Sequence, residues 1–173
     1  HNTKFKKLQR KLMLEGKRPS ECDYCWRVED CNSEALSDRV YKSAEPWARN
    51  FIDEIVSKPW DDDVNPSYLE VSFSSVCNLK CSYCSPQVSS KWMEEIKEHG
   101  PYNTSNKFND LQWLIQTDAM PIPNREHNPY VEAFWKWWPE VSTHLHHFRI
   151  TGGEPLLTKD TFKVLDDLIA NPK

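Results

Sequence analysis

Apolar residues recur along this chain at two periods, and the change of period divides it. Phe5, Leu8 and Leu12 fall on one helical face, and Gly16 closes the pattern as a helix stop. Trp47, Phe51, Ile52, Ile55 and Val56 repeat at helical spacing across residues 45–57, until Pro59, the run Asp61-Asp62-Asp63 and Pro66 break it. Residues 58–66 therefore read as a linker between an N-terminal appendage, residues 1–66, and a second domain, residues 67–173. Residues 68–76 alternate instead, with Leu69, Val71 and Phe73 on one side, and their β-branched and aromatic content predicts a strand. Residues 86–99 read as a helix closed by Gly100. An irregular, Asn- and Pro-containing insertion over 102–128 holds one short helix near 111–115. Asn128-Pro129 has the form of an N-cap and first helical position for a helix carrying Phe134, Trp135 and Trp138. Residues 147–151 have strand character, and Phe162, Leu165, Leu168 and Ile169 mark a helix over 158–170. Strand, helix, insertion with helix, strand, helix is the opening order of a parallel α/β fold.

Length and charge narrow the function classes. The 173 residues suffice for one domain with a core and a small appendage. With 22 Lys and Arg against 26 Asp and Glu, the formal charge of −4 disfavours a nucleic-acid partner. No apolar run approaches the roughly 20 residues of a membrane span, and the basic opening lacks the apolar centre of a signal peptide, so no membrane association and a cytoplasmic location are expected. Because the chain begins with His1 and stops just after a helical pattern, a piece of a longer protein is expected, with an upstream targeting segment left open. The six cysteines fall in tight clusters whose spacings suit metal coordination better than disulfides.

Cys77, Cys81 and Cys84 form a C-x3-C-x2-C triplet at the end of the first predicted strand. One short loop with three soft ligands can wrap three corners of a cubane iron–sulfur cluster and leave the fourth iron open to a chelating substrate. The alternative is a structural zinc site in which Cys81 and Cys84 pair with Cys22 and Cys25, although that separation far exceeds the usual zinc-ribbon interval. Gly152 and Gly153, followed by Glu154 and Pro155, stand at the end of the second predicted strand in a chain with only four glycines. Two residues without Cβ let the backbone approach a ligand closely, Glu154 adds an acceptor suited to an ammonium group, and Pro155 fixes the exit. A plain strand-to-helix turn is the competing reading. Glu21 to Trp26 reads as a polar turn carrying a C-x2-C pair, which is a redox pair, a zinc half-site or part of a cluster site. Cys31 is expected to be a free thiol rather than an extra ligand. His144, His146 and His147 receive no role, Trp135, Trp137 and Trp138 are expected in a core, and Asp61-Asp62-Asp63 in a solvated linker.

The segment CNLKCSYC, with the aromatic Tyr83 before the last cysteine, resembles the defining motif of the radical S-adenosylmethionine superfamily, and TGGEPLL is similar to a second motif of that family in the right order. The resemblance implies a partial (β/α)6 barrel, of which this chain shows two strands, behind a mostly helical appendage that carries cysteines. It implies a four-iron four-sulfur (4Fe-4S) cluster on Cys77, Cys81 and Cys84. It also implies S-adenosylmethionine contacted at its adenine near Tyr83 and at its amino group by Gly152, Gly153, Glu154 and Pro155. The implied activity is reductive cleavage of that cofactor to a 5′-deoxyadenosyl radical, which takes hydrogen from an unidentified substrate, with a peptide as one candidate. An electron donor such as flavodoxin or ferredoxin is the implied partner. The stretch around Cys22 and Cys25 resembles the segment upstream of the core in twitch-domain members, where such a pair helps hold a second iron–sulfur cluster; this sequence departs from them in having Cys31-Asn32 where a glycine-containing turn is expected. A non-catalytic iron–sulfur or zinc-binding module is the competing class, and it would need the triplet without the glycine pair.

Overall fold

The structure is a computed structural model and describes residues 2–32, 34–125 and 127–172. It divides into two compact units, one running up to Leu69 with the segment His144–His147, the other comprising Glu70–Thr143 and the residues from Phe148 onward.

In the first unit, helix α1 spans Lys4–Leu14 with the Thr3 side chain accepting from the Lys6 N–H. Gly16, at φ 69°, reverses the chain so that the Lys17 N–H reaches the Leu12 carbonyl at 2.8 Å. A short 3-10 turn, Ser20–Cys22, leads directly into α2, Asp23–Cys31. The expected polar turn at the first cysteine pair is therefore the start of a helix. Helix α3, Asp38–Ser43, is capped by Ser37. The single helix expected over residues 45–57 is two, α4, Pro46–Arg49, and α5, Ile52–Ser57. Ring contacts rather than helical continuity place its apolar residues: Trp47 stacks on Tyr68 with centroids 4.3 Å apart, and Phe51 lies 4.7 Å from His146. Residues 58–66 are irregular, as expected, but fastened to α1. Arg10 donates to the Asp62 carbonyl at 2.8 Å, Lys7 pairs with Asp63 at 2.5 Å, and Asn2 exchanges hydrogen bonds with the backbone of Val64.

Strands β1, Tyr68–Ser72, and β2, His147–Thr151, begin in the first unit and run on into the second, pairing in parallel as a two-stranded sheet. Between them come α6, Ser90–His99, α7, Leu111–Gln116, and α8, Pro129–Val141, and after β2 comes α9, Lys159–Ala170. Asn128 caps α8 as its sequence predicts, and Thr158 caps α9. Helix α6 starts four residues later than the expected helix over 86–99, because Pro86 lies in a turn and Ser89, wholly buried, supplies the cap. Phe73, Phe134, Trp138, Val141 and Val164 are buried. Phe73 meets Phe134 edge-on at 5.0 Å, and Trp138 sits 5.2 Å from Phe148. The Trp138 and Trp135 ring N–H groups donate to Asp167 and Asp160, at 2.8 and 2.7 Å, tying α8 to α9. Met93, Ile96 and Leu114 form a second cluster between α6 and α7. Among the described residues, no helix is long and apolar enough to cross a membrane.

Candidate metal centre

All three cysteines of the triplet lie on the irregular stretch between β1 and α6, and all three are half-buried. A backbone that leaves a sheet must find other partners for its peptide groups, and here the start of α6 supplies them. The Ser90 hydroxyl accepts from the Cys77 N–H at 3.0 Å and donates to the Cys77 carbonyl at 3.2 Å, while the Ser90 N–H donates to Ser75 O at 2.8 Å. The Trp92 ring N–H donates to the Cys81 carbonyl at 3.0 Å, and Ser89 Oγ to the Leu79 carbonyl at 3.5 Å. Cys84 is tied in turn to Cys81, its N–H donating to the Cys81 carbonyl at 3.0 Å. Ser89, Ser90 and Trp92 were not among the site residues expected from the sequence. The signal was present, since a serine just before an amphipathic helical run is an N-cap pattern, but Pro86 competes with it as a helix start.

The second motif meets the first at its root. The Gly153 N–H donates to Ser74 O at 3.0 Å and the Glu154 N–H to Val76 O at 2.8 Å, so Gly-Gly-Glu is bonded to the segment that follows β1, past the ends of both strands. The glycines are required by this approach. A Cβ on Gly152, at φ 109°, would stand 2.4 Å from Ser72 Oγ and 2.5 Å from Ser74 O; one on Gly153 would stand 2.1 Å from Val76 O. The close approach expected toward a ligand is thus made to the chain's own backbone at the root of the cysteine loop. Glu154 turns its carboxylate to the Leu156 N–H at 3.1 Å, capping a 3-10 turn, Pro155–Leu157. Pro155 opens that turn, and its carbonyl accepts from Thr161 Oγ1 at 2.7 Å.

Electrostatics mark the same loop. The neighbouring Cys81 thiol first of all, with some desolvation and the charges of Cys84 and Cys77, raises the Tyr83 pKa above the ordinary 10.0. The side chain is 91% exposed, so one face of the loop offers an aromatic ring to a ligand. Lys80 pairs with Glu95 of α6 at 2.6 Å, and Tyr102 donates to the same carboxylate at 2.9 Å. The Lys80 hydrogen bond, then that of Tyr102, holds Glu95 below its ordinary 4.5, and the Glu95 bond holds Lys80 above 10.5.

Among the described residues, no group of three or more His, Cys, Asp or Glu is gathered closely enough to hold a metal ion. Three thiolates on one tetrahedral ion, with bonds of about 2.3 Å, must converge to within about 3.8 Å of one another. In a cubane cluster each thiolate binds a different iron, so the three must still converge on one body, at wider separations than on a single ion. Three soft donors on one loop, with no carboxylate or imidazole between Cys77 and Cys84, suit an iron–sulfur cluster better than a hard cation.

In the first unit, Cys22 stands at the N-cap position of α2, with no capping side-chain bond, and Cys25 follows three residues later, which places both on one side of the helix start. Both are half-buried. The neighbouring Trp26 is fixed by its N–H to the Pro19 carbonyl at 2.9 Å and by the Arg39 guanidinium 4.3 Å from its ring centroid. Cys31 is exposed at the far end of α2, about 9 Å along the axis from Cys25, its thiol directed to the Arg27 carbonyl at 3.2 Å.

Two predictions follow from these contacts. Gly153→Ala, which must displace the Val76 backbone, is expected to destabilise the chain by about 3 kcal/mol. Gly16→Ala, with no atom within 4 Å of its added Cβ, is expected to cost only about 1 kcal/mol for its positive φ. Urea unfolding checks the order, and equal costs would contradict it. The second concerns pH. A depressed carboxyl pKa contributes stability above the ordinary value, here 4.5, that is lost as pH falls through the lower folded value; the raised Lys80 loses its contribution as pH climbs past 10.5. Lys80→Gln is therefore expected to be less stable than the parent between those limits and to converge with it in acid. A gap independent of pH would remove the pair from the loop's support. Comparison with known protein families, with curated proteins and with solved structures finds no match for this chain.

Proposed function

We propose that residues 67–173 are the N-terminal part of the core of a radical S-adenosylmethionine enzyme, opening its partial (β/α)6 barrel, with residues 1–66 as a twitch-like appendage. The observation that carries this reading is the meeting of the two motifs: the Gly-Gly-Glu turn hydrogen-bonds to Ser74 and Val76, immediately before the first cysteine. Cys77, Cys81 and Cys84 would hold three irons and leave the fourth for the cofactor. Tyr83 and the turn from Gly152 to Pro155 would bind and orient S-adenosylmethionine, and the protein's further work is to exclude water from the reacting centre. When bound, cluster and cofactor supply an electron and a 5′-deoxyadenosyl radical that takes hydrogen from the substrate. Cys22 and Cys25 would contribute two ligands to a second cluster. A flavodoxin or ferredoxin would serve as electron donor, and a peptide is one candidate for the unidentified substrate. Thiolate ligands of this kind persist in a reducing compartment, which supports a cytoplasmic location.

One observation favours a second reading. The space a Cβ would fill at both glycines is occupied by the chain's own atoms, so a non-catalytic iron–sulfur module would also need them. Metal analysis of anaerobically reconstituted full chain is the first test. The parent is expected to lose about four iron and four sulfide per chain when Cys77, Cys81 and Cys84 are all changed to Ala, with any remaining cluster assigned to Cys22 and Cys25. Tightly held zinc in place of iron would contradict the proposal.

A further inference from the structure

Nothing in the ligand count of a four-iron cluster calls for Ser90, yet Ser90 touches the first cysteine at both of its backbone polar groups. Its Oγ accepts from the Cys77 N–H at 3.0 Å and donates to the Cys77 carbonyl at 3.2 Å. As the first residue of α6, Ser90 has no intrahelical partner for its own N–H, and that group reaches Ser75 O at 2.8 Å instead. The carbonyl of the Val76–Cys77 peptide is held by Glu154, 2.8 Å away. The peptide entering Cys77 is thus clamped at its oxygen by one motif and at its N–H by Ser90. Since the direction of the Cα–Cβ bond follows from the backbone on either side, such a clamp sets where Cys77 Cβ points and so limits the thiol to the few positions its rotamers reach.

We propose that Ser90 is a positioning residue for Cys77 as the first cluster ligand, acting through the backbone, with Trp92 doing the same for Cys81 through the 3.0 Å bond to its carbonyl. The inference rests on the cluster reading above. It assigns to the start of α6 the outer-shell function that orients metal ligands elsewhere.

The test compares reconstituted full-length parent with Ser90→Ala, Ser90→Thr and Trp92→Phe, by release of iron to a chelator and by the electron paramagnetic resonance spectrum of the reduced cluster. Ser90→Ala is expected to release iron about tenfold faster than the parent and to shift the spectrum. Ser90→Thr, which keeps the hydroxyl, is expected to behave as the parent, and Trp92→Phe to release iron faster. A general loss of stability would lower the thermal midpoint while leaving the spectrum in place, and that result overturns the positioning role. So does a parent-like Ser90→Ala, or a Ser90→Thr as impaired as the alanine. Should Ser90→Ala fail to fold, Trp92→Phe decides, with unchanged iron release against the proposal and faster release for it. A parent that takes up no cluster overturns this inference together with the reading it rests on, whereas a loaded parent with indifferent variants overturns this one alone.

Discussion

A peptide group offers one acceptor and one donor, and at Val76–Cys77 each is taken by a different segment: the carbonyl by the Glu154 N–H, the N–H by the Ser90 hydroxyl. Each such bond contributes only about 1 kcal/mol net, but leaving a buried partner unmade costs more. The geometry is enforced by sterics rather than by bond strength. With Gly153 so close that an added Cβ would lie 2.1 Å from Val76 O, the turn after β2 and the root of the cysteine loop cannot move independently. Everything in the candidate site, from the direction of Cys77 to the place of the exposed Tyr83, is built outward from that joint.

The loop is firm in its backbone and open at its thiols. Cys77 and Cys81 are each anchored through the backbone to α6, and Cys84 hangs from Cys81 by a single turn. The thiols themselves do not converge as a single ion would require. The Lys80–Glu95 pair adds a charged tie between loop and helix.

Much of the second unit was legible because its signals are local. The alternation around Val71 gives β1, Asn128-Pro129 starts α8, and the aromatic spacing of Phe134 and Trp138 marks buried positions. The first unit was harder. Trp47 and Phe51 show helical spacing, but they are placed by rings distant in sequence, Tyr68 and His146, so the period overstated the continuity of α4 and α5. Spacing alone singled out the cysteines and the glycine pair as candidates. It could not single out Ser90, because a serine beside a helix cap looks the same whether its hydroxyl faces water or the backbone of the cysteine loop. The reason for the glycines also lay out of reach, since the backbone they approach is more than seventy residues earlier.

If the two motifs form one cofactor site, a ligand of the second must be felt at the first. The direct measurement is the electron paramagnetic resonance spectrum of the reduced, reconstituted full chain with and without S-adenosylmethionine. A clear change in the cluster signal on adding the cofactor is the expected result. A stable cluster whose signal stays the same at saturating S-adenosylmethionine would contradict it, and would leave the joint at Val76–Cys77 as the support of a cluster that does no radical chemistry.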